Sequence, residues 1–304
     1  MAKTQPKVSS KERRKGFISL LALSFVFSTM GIFARYLQYD FTLLQQVFLR
    51  IFIALIFALV FFFKDIRFFQ FFTIPKKDIT LIIFRAITLY GGIALISEAV
   101  FHAKYGNVSF IGSFPVLTLI GFFIFKDKFS ANKLFCILLA FAGLFLIGVS
   151  DFTHIFSIGY GELLAFISAF FFAFSYAARK WQSDHLTNKE MTVAIFFIGS
   201  LLLFLMSFFI LHEPLPTSAS FTKTAIIALL LSGLFNVANL FLTNYGFARV
   251  DNSVAGNILT LENIFAILYG VFLFSEIPTI KEIIGGVAIL ISIIWLNNLE
   301  KNKK

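Results

Sequence analysis

Long apolar segments separated by short polar breaks fill this chain almost from end to end. A bilayer core of about 30 Å takes about 20 apolar residues in a helix. The segments are continuous and do not alternate with polar residues, so they predict helices and exclude a membrane β-barrel. We therefore predict an all-α integral membrane protein with ten transmembrane helices, at residues 17–35, 43–63, 79–100, 107–125, 132–150, 161–180, 191–211, 223–247, 253–274 and 280–297.

Composition agrees with this pattern. Of the 304 residues, 59% are hydrophobic and 14% are charged, whereas an average soluble domain is about 25% charged. The net charge of +10 does not indicate nucleic-acid binding, because the basic residues lie in the breaks between spans. The single cysteine, Cys136, lies inside an apolar segment, which excludes an intrachain disulfide.

The distribution of Lys and Arg predicts the orientation of the chain in the membrane. With the N-terminus inside, twenty of the 26 Lys and Arg residues fall in cytoplasmic segments and three fall in outer loops. Positive charge collects on the cytoplasmic side, so both termini are predicted to be cytoplasmic in a multi-pass protein of the inner (cytoplasmic) membrane. The basic N-terminus could resemble a signal peptide, but the apolar segment after it is long and lacks a small-residue cleavage site.

The two halves of the chain resemble each other about a point near residue 155. Gly16 and Gly161 open spans one and six, and Ala103-Lys104-Tyr105 precedes span four as Ala248-Arg249-Val250 precedes span nine. The same comparison aligns Gly143 with Ser292. Five spans in each half is an odd number, so the second half enters the membrane inverted, an arrangement typical of secondary transporters.

These residues resemble the drug/metabolite transporter superfamily, specifically its ten-span members with two EamA domains. The similar motifs are Phe114-Pro115 and Lys126-Asp127 in the first half, and Glu262-Asn263, Ser275-Glu276 and Gly285 in the second. Asn263 stands where the family usually has proline, and Lys126-Asp127 stands in place of Gly-Glu. The resemblance implies a basic tail at 1–15, five-helix repeats at 16–150 and 161–298, and a second tail at 299–304.

Polar residues at helical spacing predict a cavity between spans one, three, four, six, eight and nine, a helix set that the resemblance implies. A carrier needs polar groups near mid-membrane, although small polar residues also serve helix packing. Asn236 and Asn239 are the strongest candidates, because two asparagines one turn apart are costly in lipid unless they are wetted or paired. The predicted substrate-binding residues are Ser28, Tyr90, Ser97, Asn236, Asn239, Thr243, Asn257 and Thr260.

Three charged residues inside spans are candidates for coupling or ion pairing: Arg50, Glu98 and Glu262. A charge in the membrane usually faces the bundle interior. Arg50 could hold a substrate carboxylate, form an ion pair between helices or snorkel. Helical spacing predicts that Glu262 faces away from the stripe of Asn257 and Thr260. Spans five and ten carry few polar side chains, so we predict that they are peripheral braces facing lipid.

The predicted function is a secondary carrier that moves a small polar metabolite, such as an amino acid, amine or related metabolite, by alternating access. An exchanger of S-adenosylmethionine or a nucleotide-type metabolite is an alternative within the superfamily, and a channel or membrane assembly subunit is the alternative to a carrier. No nucleophile, phosphate-loop or metal motif is present, so an enzyme is not predicted, and neither is a cofactor or metal. The expected partners are a small-molecule substrate and membrane lipid, without nucleic acid, for a monomer or homodimer.

Overall fold

A computed structural model describes residues 9–102, 108, 111–112, 116–125, 130–148, 159–274 and 277–301. Over these residues the fold is all-helical, as predicted, and contains no strand. The helices are α1 (Ser10–Phe27), α2 (Met30–Leu37), α3 (Leu43–Phe62), α4 (Phe68–Phe72), α5 (Lys76–His102), α6 (Val116–Phe123), α7 (Ala131–Gly148), α8 (Tyr160–Ala178), α9 (Asn188–Phe204), α10 (Lys223–Phe247), α11 (Asn252–Leu259), α12 (Leu261–Phe274) and α13 (Ile280–Lys301).

Six helical segments are long and apolar enough to cross a membrane: Ser10–Ala34, Leu43–Asp65, Lys76–Ala99, Tyr160–Trp181, Asn188–Ile210 and Lys223–Phe247. They coincide with predicted spans one, two, three, six, seven and eight. Spans five and ten are each a single helix, α7 and α13, whose apolar parts are shorter, at Ala131–Ile147 and Ile283–Leu299. Span nine is divided into α11 and α12 at Thr260. Part of span four lies outside the described residues.

The first helix begins earlier than the apolar pattern indicates. It starts at Ser10 and not near residue 17, because Ser9 caps it by accepting a hydrogen bond from the backbone N–H of Glu12 at 3.3 Å. The basic residues of the predicted tail from Lys11 to Lys15 therefore lie on the first turns of α1. The parts of both tails at residues 1–8 and 302–304 lie outside the described residues.

The outer surface of the bundle is covered by large apolar side chains. The exposed fraction is 53% for Phe61, 56% for Leu138, 62% for Phe209 and 61% for Ile294. Apolar exposure on every side of a bundle is unfavourable in water and suits hydrocarbon. The described part of the chain is therefore built as a membrane protein.

Helices from the two halves of the chain pack against one another. The main neighbours are α5 with α8, α7 with α13, α3 with both α9 and α10, α1 with α10, and α6 with α11. The core between them consists of small and aliphatic residues, among them Leu20, Ala54, Ile195 and Ile258. Each half therefore depends on the other for burial of its apolar faces.

Candidate functional site

A cavity of about 330 Å³ lies inside the bundle. Its walls come from α1 to α3, α5 to α8 and α10 to α12, together with residues 108 and 112. This set includes the predicted helices one, three, four, six, eight and nine, and adds residues of spans two and five. The cavity is large enough for a small metabolite and is lined mainly by apolar side chains.

Two of the helices that line the cavity are broken beside it. The first breaks between α1 and α2, where the Thr29 hydroxyl donates to the carbonyl of Val26 at 2.7 Å. The second breaks between α11 and α12, where the Thr260 hydroxyl donates to the carbonyl of Asn257 at 2.7 Å. Interrupted helices at a central cavity leave backbone polar groups available to a ligand, as in many transporters.

The structure brings most of the predicted site residues to this one cavity. Six of the eight predicted substrate-binding residues line it, together with two of the three coupling candidates: Ser28, Ser97, Asn236, Asn239, Asn257, Thr260, Arg50 and Glu262.

The two asparagines of α10 differ in how fully their amides are used. Asn236 donates from Nδ2 to the carbonyl of Ser232 at 2.8 Å. Asn239 accepts from the hydroxyl of Thr243 at 3.4 Å, and no described residue accepts from its Nδ2. Asn239 is therefore the better placed of the two to donate into the cavity. Thr243 is buried behind it and supports it without lining the cavity.

Asn257 reaches the cavity but is also tied to the helices behind it. Its Nδ2 donates to the hydroxyl of Ser292 at 3.0 Å, and that hydroxyl donates to the carbonyl of Cys136 at 2.6 Å. These bonds join α11, α13 and α7. Asn257 thus has a structural role, as the packing alternative for such residues predicts.

The prediction that Glu262 faces away from Asn257 and Thr260 is wrong. All three line the same cavity. The prediction assumed one continuous helix, whereas α11 ends at Leu259 and α12 begins at Leu261. The break at Thr260 changes the direction in which the following side chains point. Asn257 before the break and Glu262 after it therefore face the same cavity.

Tyr90 and Glu98 are predicted site residues that do not line the cavity. The Tyr90 ring packs where Gly199 of α9 has no side chain, since a Cβ there would lie 1.8 Å from the ring. Glu98 is half-exposed and pairs with His102 at 3.0 Å, one turn along the same helix.

The inner face of α7 forms part of the cavity wall. Ile137, Ala140, Phe141 and Leu144 line the cavity, while Leu138 on the other face is exposed. The prediction that span five is only a peripheral brace is therefore wrong for one of its faces, because lipid contact occupies only part of an apolar helix.

Arg85 is a buried arginine that lies outside the cavity and joins the two halves of the chain. It is 1% exposed and donates to the carbonyl of Ser175 at 3.0 Å, to Gln182 Oε1 at 2.7 Å and to Asn244 Oδ1 at 2.6 Å. These acceptors lie on the second half of the chain. The sequence favours a structural role for Arg85, because an arginine in apolar surroundings needs a partner in a membrane.

Among the described residues, five ion pairs between the two halves cluster at the end of the bundle where α1 begins, which we call the basic face. They are Arg13–Asp251, Lys133–Asp251, Arg249–Glu12, Arg67–Glu190 and Lys189–Asp65. Every pair joins the first half of the chain to the second. The cavity extends the other way, to Gln38 and Leu43 at the opposite ends of α2 and α3.

Comparisons with known proteins agree with this architecture. The sequence model of the EamA-like transporter family matches residues 14–149 and again residues 159–298. This chain belongs to the EamA-like transporter family. The family predicted from the sequence is thereby confirmed, and membership in a transporter family supports the prediction that the chain is not an enzyme.

Two proteins similar to this EamA-like transporter are informative, one by sequence and one by fold. An uncharacterized transporter from Archaeoglobus fulgidus is 32% identical over 199 residues, which cover 62% of this chain and 59% of the relative. The match thus spans about three fifths of that relative's length. A solved crystal structure superposes with a TM-score of 0.78 over 94% of this chain and 99% of the other, at 14% identity. That likeness concerns the fold alone.

The site contains no group of described residues suited to a metal ion. No cluster of three or more His, Cys, Asp or Glu side chains occurs within the described ranges. The polar groups of the cavity are amides, hydroxyls, one guanidinium and one carboxyl, which suit hydrogen bonding to a polar organic molecule.

Proposed function

We propose that this EamA-like transporter is a secondary carrier for a small polar metabolite, such as an amino acid, amine or related metabolite. The observation that carries the proposal is a cavity of about 330 Å³ inside the bundle that reaches Gln38 and Leu43 at one end. None of the described residues that form ion pairs between the two halves at the opposite end lines it. A carrier needs a closed end of this kind that can open, whereas a channel needs a continuous path.

We further propose ten spans arranged as two inverted five-helix repeats, at 16–150 and 161–298. The capping of α3 and α9 supports this. Thr42 and Gln45 form a capping box at the start of α3, and Thr187 and Glu190 form the same box at the start of α9. The two boxes have the same separation along the chain as Gly16 and Gly161.

Alternating access would then consist of rocking one half against the other. With the orientation predicted from charge, the basic face is cytoplasmic and the cavity faces outwards in the cytoplasmic membrane. Opening inwards must break the ion pairs of the basic face and the bonds of Arg85 to Gln182 and Asn244. These contacts are discrete and polar, so water can replace them when they separate.

The proposal can be tested by a ligand screen of the purified transporter in detergent. The panel contains amino acids, amines, S-adenosylmethionine and nucleotides, and the readout is the melting temperature. A ligand at 100 times its Kd stabilises the folded state by about 2.7 kcal/mol. Stabilisation by a polar metabolite that is abolished in Asn239→Leu supports a carrier site in the cavity. Ion conductance by the reconstituted protein without saturable binding would instead favour a channel.

A further inference from the structure

The guanidinium of Arg50 is buried at the cavity and forms no ion pair with any of the described residues. Arg50 lies on the second turn of α3, lines the cavity and is 8% exposed. Its Nε has no hydrogen-bond partner among the described residues, and its Nη2 lies 3.5 Å from the sulfur of Met30. A thioether is a weak acceptor. A buried guanidinium with so few hydrogen-bond acceptors destabilises the protein unless an anion pairs with it.

Gln46 adds a second unsatisfied group one turn away on the same helix. It is 2% exposed and lines the cavity, and its Oε1 has no hydrogen-bond partner among the described residues. An anion beside Arg50 would accept from the amide nitrogen of Gln46, and rotation of the amide by half a turn places that nitrogen where Oε1 now lies. Residues four apart on a helix are neighbours on one face.

Helix packing does not account for an arginine at this position. The proposed repeat gives Arg50 the same place in the first half that Ile195 has in the second, since each lies eight residues after its Thr cap at Thr42 or Thr187. Ile195 is fully buried. An aliphatic side chain therefore meets the packing requirement in one half, and the charge of Arg50 serves another purpose.

We propose that Arg50 and Gln46 form an anion subsite that receives the carboxylate of the transported metabolite. This inference rests on the proposed carrier function and names the substrate's charged group. An arginine fork matches a carboxylate in two parallel hydrogen bonds. A ligand with several negative charges would bring one of them towards Glu262, which lines the same cavity. The subsite is therefore assigned to a monocarboxylate whose remaining surface contacts the apolar wall at Phe27 and Phe172.

The test uses pairs of compounds that differ only in having a carboxylate or a carboxamide group. The purified full-length transporter is screened by thermal shift against carboxylic acids, including amino acids, each beside its carboxamide. The variants are Arg50→Gln and Arg50→Lys, and Lys223→Gln is the matched control, since it removes one positive charge at an exposed position outside the cavity.

The expected result is that acids stabilise the wild-type transporter and their amides do not. Arg50→Gln should raise the Kd of the best acid at least about tenfold, as expected for a lost charge-assisted hydrogen bond. Arg50→Lys should restore part of the affinity, and Lys223→Gln should leave it unchanged. Without ligand, Arg50→Gln should melt no lower than the wild type, because it removes an unpaired buried charge; a large loss of stability would instead indicate a structural ion pair and overturn the assignment.

Other outcomes separate this inference from the carrier proposal. An amide that binds as tightly as its acid, or an acid that binds Arg50→Gln with unchanged Kd, would overturn the anion subsite while leaving the carrier intact. A wild-type transporter that no compound stabilises, and that shows no solute flux in liposomes, would count against both.

Discussion

Gly143 of α7 and Gly285 of α13 are in reciprocal backbone contact. A Cβ atom on Gly143 would lie 2.5 Å from the carbonyl oxygen of Gly285, and a Cβ on Gly285 would lie 2.5 Å from the carbonyl oxygen of Gly143. The two helices cross at this point so closely that neither can carry a side chain there.

This contact predicts that Gly143→Ala destabilises the transporter. The added methyl group meets backbone and must push α7 away from α13, at a cost of about 1–3 kcal/mol. Gly286→Ala is the matched control, because a Cβ there meets only Ile264 Cγ1 at 3.9 Å. Thermal melting in detergent measures both variants. Equal melting temperatures for the two would show that the crossing is looser than the structure indicates.

The Arg67–Glu190 pair, whose carboxylate is buried, should contribute more to the free energy of unfolding than the exposed Lys189–Asp65 pair. The Glu190 side chain is fully buried and accepts from Arg67 Nε at 2.9 Å, from Arg67 Nη2 at 2.8 Å and from the backbone of Thr187 at 2.7 Å. These bonds raise the pKa of Arg67 above its ordinary value, so the guanidinium stays charged at any pH the protein meets.

Glu190→Ala is therefore expected to cost about 1.5–3 kcal/mol, as for lost hydrogen bonds to a charged group, because Arg67 is 51% exposed and water can solvate it once Glu190 is gone. Asp65→Ala breaks a pair in which Asp65 is 51% exposed and Lys189 is 37% exposed, and should cost less than about 1 kcal/mol. The free energies of unfolding in a denaturant series compare the two. If Asp65→Ala lowers the free energy of unfolding as much as Glu190→Ala does, the claim that the Arg67–Glu190 pair stabilises the protein more than the Lys189–Asp65 pair is wrong.

Asn239 and Asn257, two of the amide side chains that line the cavity, should respond differently to the same substitution. Asn239→Leu should keep the transporter folded and weaken substrate binding about 5- to 150-fold, since a ligand group loses a hydrogen bond worth about 1–3 kcal/mol. Asn257→Leu should lower the melting temperature, because Ser292 loses its partner. If Asn239→Leu transports normally, Asn239 serves helix packing and the substrate binds elsewhere.

Cysteine labelling tests the orientation predicted from charge. Thr217 lies in the exposed connection between α9 and α10, so Thr217→Cys should react with a membrane-impermeant maleimide on intact cells. Thr4→Cys should react only after permeabilisation. The native Cys136 is buried and should give little background in either case. The reverse pattern would invert the assignment of the basic face to the cytoplasm.

The sequence predicted the helical segments well, and it predicted the cavity residues where a helix is regular. Asn236 and Asn239 were found because a continuous helix keeps residues three apart on one side. The position of Glu262 was missed because no glycine or proline marks the break at Thr260. Tyr90 was misassigned because periodicity gives the face of a helix but not the neighbour it contacts, and here that neighbour is Gly199.

The central claim is that the bundle carries its substrate by alternating access, and counterflow in proteoliposomes tests it most directly. Vesicles loaded with the unlabelled metabolite found in the screen should take up the labelled form transiently above its outside concentration. Uptake should saturate, and it should fall in Asn239→Leu. Linear, non-saturating uptake without a transient overshoot would contradict the account, because a pore admits solute without exchanging it.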